Sequence, residues 1–183
     1  MMKQILGNLF PYKGQKPRLA NSVFTAPGSV VVGDVEMGEN CSVWYNTVVR
    51  GDVNYIRIGK ETNVQDLSML HVTNKTHPLI IGDKVTIGHS VTLHGCTIEN
   101  LCLIGMGAVI LDGARVESGS IVGAGALIPP NFVVPSGSLA IGVPAKIVRT
   151  LSDSEIEELH KSAQRYIDYS ADTIQSLTEE NTD

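Results

Sequence analysis

Five histidines, His71, His77, His89, His94 and His160, are the side chains of this 183-residue sequence best suited to chemistry near neutral pH. Imidazole titrates between pH 5 and 8 and is the commonest protein ligand for metals, so the first question is which of the five can converge. His89 and His94 stand five apart in "IGHSVTLHGC". That separation suits neither a helix face, which wants three or four, nor one face of a strand, which wants an even number. The cysteines Cys41, Cys96 and Cys102 are odd in number and match no zinc-finger or redox spacing, so they read as buried small hydrophobes.

A repeat must position these groups. Eighteen glycines alongside 5% aromatics prompt the search for one. Met37, Val43 and Val49 step by six, as do Ile58, Val64 and Leu70, then Ile81, Ile87 and Leu93, then Ile98, Ile104, Ile110, Val116, Val122, Ile128 and Val134. Small or β-branched residues such as Thr47, Ala108 and Ala126 follow four positions later, with Asn74 and Phe132 as exceptions. A hexapeptide of this kind is a short strand plus a turn and cannot bury its own apolar residue. Three make a triangular coil, and coils stack as parallel strands about 4.8 Å apart. Over roughly residues 30 to 148 the pattern resembles the left-handed parallel β-helix of hexapeptide-repeat proteins, an all-β fold. From Ser152 the period changes: Ser152 and Glu155 form a capping box, and Ile156, Leu159, Ala163, Ile167, Ile174 and Leu177 recur at helical spacing. One domain is expected, with the β-helix and a short lead-in over 1–150. The stretch 151–183 adds a helix packed along the coils and a frayed "TEENTD" tail.

The period places the histidines. If "VTNKTHPLI" adds five residues, Leu70, Ile81, Ile87 and Leu93 fall on faces one, two, three and one. His71 and His94 then share an offset on face one, a single coil apart and close enough for one metal ion. A three-residue insertion near Tyr55 puts Val49 on face one too, with Arg50 beneath His71. His89 sits at a corner of face three, where a threefold assembly would press it against face one of the next chain. On that reading, two histidines five apart serve two different interfaces.

The stretches "WYNTVVRGDVN", "NVQDLSMLH" and "IGHSVTLHGCTIENLCLIGMGA" resemble the γ-class carbonic anhydrase family across nearly the whole chain. The resemblance implies a homotrimer that hydrates CO₂ reversibly to bicarbonate. It implies zinc, or iron or cobalt, held between subunits by His71 and His94 of one chain and His89 of the next. It further implies that Arg50 and Asp52 pair across the interface, that Gln65 and Asp66 belong to the active site, and that Tyr166 reaches the site from the helix. Three neutral imidazoles leave Zn²⁺ its full charge and an open position, which brings the pKa of bound water to about 7. Gln65 would orient the nucleophile or the substrate. Asp66, one coil below His89, would fix a ligand's tautomer.

The chain departs from the family prototype, which carries acidic residues for proton transfer. Here Val53 follows the Arg-x-Asp stretch and the loop after His71 is short. Proton export is therefore expected to limit turnover. His77, in that loop, reads either as an idle exposed side chain or as a shuttle or extra ligand. His160 reads as a surface residue, and Trp44 and Met106 as packing or interface residues. "IGVPAKIVR" is shared with hexapeptide acyltransferases, so acyl transfer is one alternative, and a trimeric binding or scaffold protein with a structural metal is another. Net charge −5 without a Lys/Arg run argues against nucleic acid and anionic membranes as partners. A start broken by Gly7 and Pro11, with no small-residue cleavage site, leads us to expect a soluble cytoplasmic protein.

Overall fold

The computed structural model describes residues 7–179. The opening Met1–Leu6 and the end of the expected frayed tail, 180–183, lie outside the described residues. The six-residue period folds as a parallel β-helix. On face three Val43, Val64, Ile87, Ile104 and Val122 stack in register. Face one stacks Val49, Leu70, Leu93, Ile110 and Ile128, and face two stacks Ile58, Ile81, Ile98, Val116 and Val134. All fifteen are buried and fill the axis of the prism. Such stacks are the enclosed core that no single coil could build, and shared burial is what holds successive coils together. Close coil stacking also sets residue size at the turns: a Cβ on Gly105 would lie 2.5 Å from the Ala124 backbone nitrogen.

In the first coils the prism departs from three separate faces. Val30–Met37 and Val48–Ile58 run through a corner as continuous strands. Val48–Ile58 pairs with Met69–His71 on one side of the corner and with Leu79–Ile81 on the other. Faces one and two therefore form one bent sheet, while face three is a separate sheet. The bend rests on a register shift between Gly33 and Val35. Gly33 is there in the left-handed region at φ 78°, where an added Cβ would lie 2.2 Å from the Gly51 carbonyl oxygen. The three-residue insertion near Tyr55 is thus absorbed in a long strand. The five-residue insertion instead closes as a tight turn bridged between Thr73 and His77.

At the far end Ser138–Gly142 pairs antiparallel with Ala145–Thr150 and ends the stack. The helix Asp153–Glu179 then returns along face three. Its capping box forms as expected: Ser152 Oγ accepts the Glu155 N–H at 3.3 Å, and the Glu155 carboxylate accepts the Ser152 N–H at 2.9 Å. Arg149 also grips Glu155 through two bonds of 2.8 Å. Arg149 first, with Ser152, draws the Glu155 carboxyl down to about 2. Leu159, Ala163 and Ile174 are buried as expected of the apolar stripe, whereas Ile156 and Ile167 are half-buried. The three thiols are buried and unpaired, and burial raises Cys41 to about 12 and Cys102 to about 11. Among the described residues no helix is long and apolar enough to cross a membrane.

Candidate metal centre

Face one carries the first cluster. Strands Met69–His71 and Thr92–His94 pair with His71 opposite His94, and the neighbouring register brings Arg50 beside His71. Because strand neighbours at one offset point the same way, the two rings stand side by side with centroids 5.1 Å apart. His71 Nδ1 lies 3.1 Å from His94 Nε2. The opposite nitrogens are both engaged: His71 Nε2 with Asp52 Oδ1 at 3.0 Å, and His94 Nδ1 with Asp112 Oδ1 at 2.6 Å. Thr73 donates its hydroxyl to Asp112 Oδ2 at 2.6 Å, and Arg50 binds the other oxygen of Asp52.

The carboxylates fix the chemistry of the rings. Burial pushes the Asp52 carboxyl up, but hydrogen bonds from His71 and Arg50 outweigh it and hold the group below its ordinary value. Asp112 is likewise held down against burial by Thr73 and His94, with the His77 charge nearby. An ionised carboxylate only accepts, so each histidine turns its N–H to its aspartate. In rings that carry no second proton, the facing Nδ1 and Nε2 are then acceptors. At 3.1 Å the two nitrogens are placed so that they could serve one cation together as donors.

The second cluster lies on face three, beside the helix. His89 and Asp66 each follow by two the register pair Ile87 and Val64, and His89 Nδ1 meets Asp66 Oδ2 at 2.8 Å. Asp66 Oδ1 accepts the Tyr45 N–H at 3.2 Å. Trp44, Tyr166 and Tyr169 pack edge to face around this pair, and with Asp172 and Thr173 they line an open pocket of about 380 Å³. Burial first, and then the Asp66 charge, raises the Tyr166 phenol. Gln65 is only 5% exposed and donates through Nε2 to Asn63 Oδ1 at 3.2 Å.

Of the residues singled out in the sequence, Arg50, Asp52, His71 and His94 come together, as do Gln65, Asp66, His89 and Tyr166, but on different sheets. Among the described residues no three His, Cys, Asp or Glu side chains of one chain are arranged to hold a metal ion. Arg50 and Asp52 close on each other within this chain, because residues two apart on a strand share a face. His77 is half-buried, with its Nδ1 3.1 Å from the Thr76 hydroxyl. A Cβ on Gly95 would lie 2.7 Å from its Cβ, so the ring occupies room that glycine leaves. His160 is exposed on the helix, and Trp44 is a packing residue in a small core with Phe24 and Ile174. Met106 is 58% exposed on the wall of a groove beside the helix.

Sequence reasoning missed Asp112 and Thr73. The signal was the coil register, with Gly95 leaving room at the corner, since a Cβ there would lie 2.4 Å from Asp112 Oδ1. That register sets Leu93 against Ile110, so Asp112 lies opposite Gly95, one position beyond the ring of His94 that it reaches.

The family described as Bacterial transferase hexapeptide (six repeats) matches residues 95–130. A probable carbonic anhydrase of Methanocaldococcus jannaschii is 52% identical over 158 residues, covering 86% of this chain and 98% of that one. The mitochondrial gamma carbonic anhydrase 1 of Arabidopsis thaliana is 48% identical over 155 residues, covering 82% of this chain and 56% of that one. Among solved structures, a putative acetyltransferase from Bacillus cereus superposes with a TM-score of 0.90 at 40% identity, covering 94% of this chain and 99% of that one. With the repeat, the histidine column and these relatives together, the chain belongs to the γ-class carbonic anhydrase family of hexapeptide-repeat proteins.

Proposed function

We propose that this protein hydrates CO₂ reversibly at a metal ion, zinc in the first instance, held between subunits of a homotrimer. The observation that carries the reading is the pair of imidazole nitrogens 3.1 Å apart, each ring backed by its own carboxylate. That donor set, neutral imidazoles with carboxylate-fixed tautomers, fits a divalent ion of zinc's preference. His89 of a second copy supplies the third nitrogen, since within one chain it stands on another sheet with its own aspartate. When bound, such an ion acidifies water to a pKa of about 7 and so supplies a nucleophile at neutral pH.

The chain's own residues do the rest. Asp52 and Asp112 keep the ring nitrogens of His71 and His94 aimed, and Arg50 keeps Asp52 ionised and in place. Gln65, nearly buried beside His89, presents its free carboxamide edge to orient the attacking water or CO₂. Tyr166 and Trp44 wall the site and limit water entry. Proton export falls to groups outside this shell, because Val53 and the turn at Asn74, Lys75 and Thr76 offer no acid. The likeness to a putative acetyltransferase raises acyl transfer as a rival, but one general-base histidine would serve that chemistry, and the backed pair would have no use.

Stopped-flow CO₂ hydration by zinc-loaded protein tests this. The rate should rise with imidazole concentration, as an external base takes over proton export. Absence of hydration at full metal occupancy would overturn the reading.

A further inference from the structure

Between the helix and face three lies a run of buried polar side chains that the apolar account of helix docking does not use. Asn63, Thr86 and Ser162 are 1%, 5% and 5% exposed, and Gln65 joins them at 5%. Buried polar groups at a helix-on-sheet contact cost stability unless each is bonded, and hydrophobic residues of similar size would fill the same space. Here each link is made. Gln65 Nε2 donates to Asn63 Oδ1 at 3.2 Å, Asn63 Nδ2 donates to Thr86 Oγ1 at 3.1 Å, and Thr86 Oγ1 lies 3.1 Å from Ser162 Oγ. Thr86 Oγ1 thus accepts from Asn63 and shares one hydrogen with Ser162 Oγ, given by either hydroxyl.

The ladder's contacts are set by the fold. Asn63 and Thr86 sit opposite one another on adjacent strands, so the coil register fixes their contact. Ser162 is the one buried polar residue of the helix stripe. Donation by Gln65 at one end commits its Nε2 inward and leaves its Oε1 as an acceptor on the side of the groove shared with His89 and Tyr166. Turning the amide over would set Oε1 against Asn63 Oδ1, two acceptors in contact, unless Asn63 turned over too and the Thr86 hydroxyl rotated to donate to it.

We propose that Thr86 and Ser162 are positioning residues: by way of Asn63 they couple docking of the C-terminal helix to the orientation of the Gln65 carboxamide. The inference rests on the reading that Gln65 orients a reactant. It makes the helix part of the site's alignment as well as a cover for the sheet.

The test pairs Thr86→Val, which keeps the shape and removes the hydroxyl, with Thr86→Ser, which restores it, and adds Ser162→Ala. In zinc-loaded protein, Thr86→Val and Ser162→Ala should lower kcat/KM by about threefold to tenfold, as expected for one lost hydrogen bond, while kcat and zinc content hold and Thr86→Ser recovers the loss. In a Gln65→Ala background, Thr86→Val should cost nothing further. An equal loss with and without Gln65, or no loss at all, would overturn the proposal. Hydrogen exchange of the Gln65 side-chain amide, followed by NMR on ¹⁵N-glutamine-labelled protein, decides the coupling without activity. Exchange should quicken in Thr86→Val and Ser162→Ala and return to the native rate in Thr86→Ser. Unchanged exchange in Thr86→Val would sink the ladder even in an active enzyme, and faster exchange in a protein that hydrates no CO₂ would keep it while removing the function.

Discussion

The upper coils and the lower coils of this prism obey the same rule to different degrees. From Ile98 to Val134 the core residues step by six without interruption. From Val49 to Ile98 the step is broken three times, to nine at Ile58, to eleven at Ile81 and to five at Ile98. Each break delivers a functional group. The first carries Asp52, the second carries Thr73 and His77, and the third lies beside His94 and holds Gly95, which leaves room for Asp112. Unbroken repeats build a stack of coils, and broken ones aim side chains. Stability and chemistry should therefore separate along the axis.

Substitution at the two ends tests that separation. In the lower coils, His71→Ala or His94→Ala should abolish zinc binding with little change in thermal stability of the metal-free protein, because both rings are at the surface of the prism and not in its axis. His160→Ala should leave the zinc content intact. In the upper coils, Ile104→Ala should do the reverse. It opens a cavity in a fully buried stack, costs about 2–5 kcal/mol in denaturant unfolding, and leaves the zinc per chain unchanged. Elemental analysis beside unfolding curves reads both. Loss of zinc in Ile104→Ala would blur the comparison, and retention in His94→Ala would break it.

Asp112→Asn sharpens the same contrast with a smaller effect. The amide no longer holds the His94 N–H as a charged acceptor, and the expected fall in zinc affinity is about 10-fold to 100-fold, measured by competition with a chelator. The upper coil in which Asp112 sits should stay folded.

A pH effect at the end of the coils is smaller again. Glu155 has its carboxyl drawn down to about 2 from an ordinary value near 4.5, chiefly by Arg149 and then Ser152. A depressed carboxyl stabilises the fold above its unfolded value and loses that contribution as pH falls toward its folded one. Protection factors of amides in the first helical turn, taken against the intrinsic rate at each pH, should therefore fall between about pH 4.5 and 2 in the native protein, and Glu155→Gln should remove that dependence. A native profile identical to the variant's would show that the cap and the Arg149 pair contribute nothing there.

How much of this could be read from sequence follows from the kind of physics involved. The column of Arg50, His71 and His94 was legible because coil register is arithmetic once the insertions are sized, and Asp66 beneath His89 was legible for the same reason. Asp112 was not, since it lies opposite Gly95 and not His94, and the corner turns its side chain from that neighbouring position onto the ring. The continuous strand Val48–Ile58 was missed because a three-residue insertion can bulge out or extend in place, and the choice depends on Gly33 meeting Gly51 across the coil. Nor could sequence show the ladder from Gln65 to Ser162, which joins residues 76 apart at its last link and exists only where the helix lies on face three.

The central claim is that one chain holds two parts of a site that closes only between copies, and mixing defective subunits tests it most directly. His89→Ala chains lack the corner histidine, and His94→Ala chains lack one of the column, so neither should bind zinc alone. Randomly mixed trimers of the two in equal amounts have one intact interface wherever a His89→Ala column faces the corner of a His94→Ala chain, which restores about one quarter of the native sites. Co-expression followed by elemental analysis should therefore return zinc at about that fraction, with CO₂ hydration rising beside it. Zinc in the mixture no higher than in either parent would mean that the three histidines do not meet across subunits, and would contradict the account.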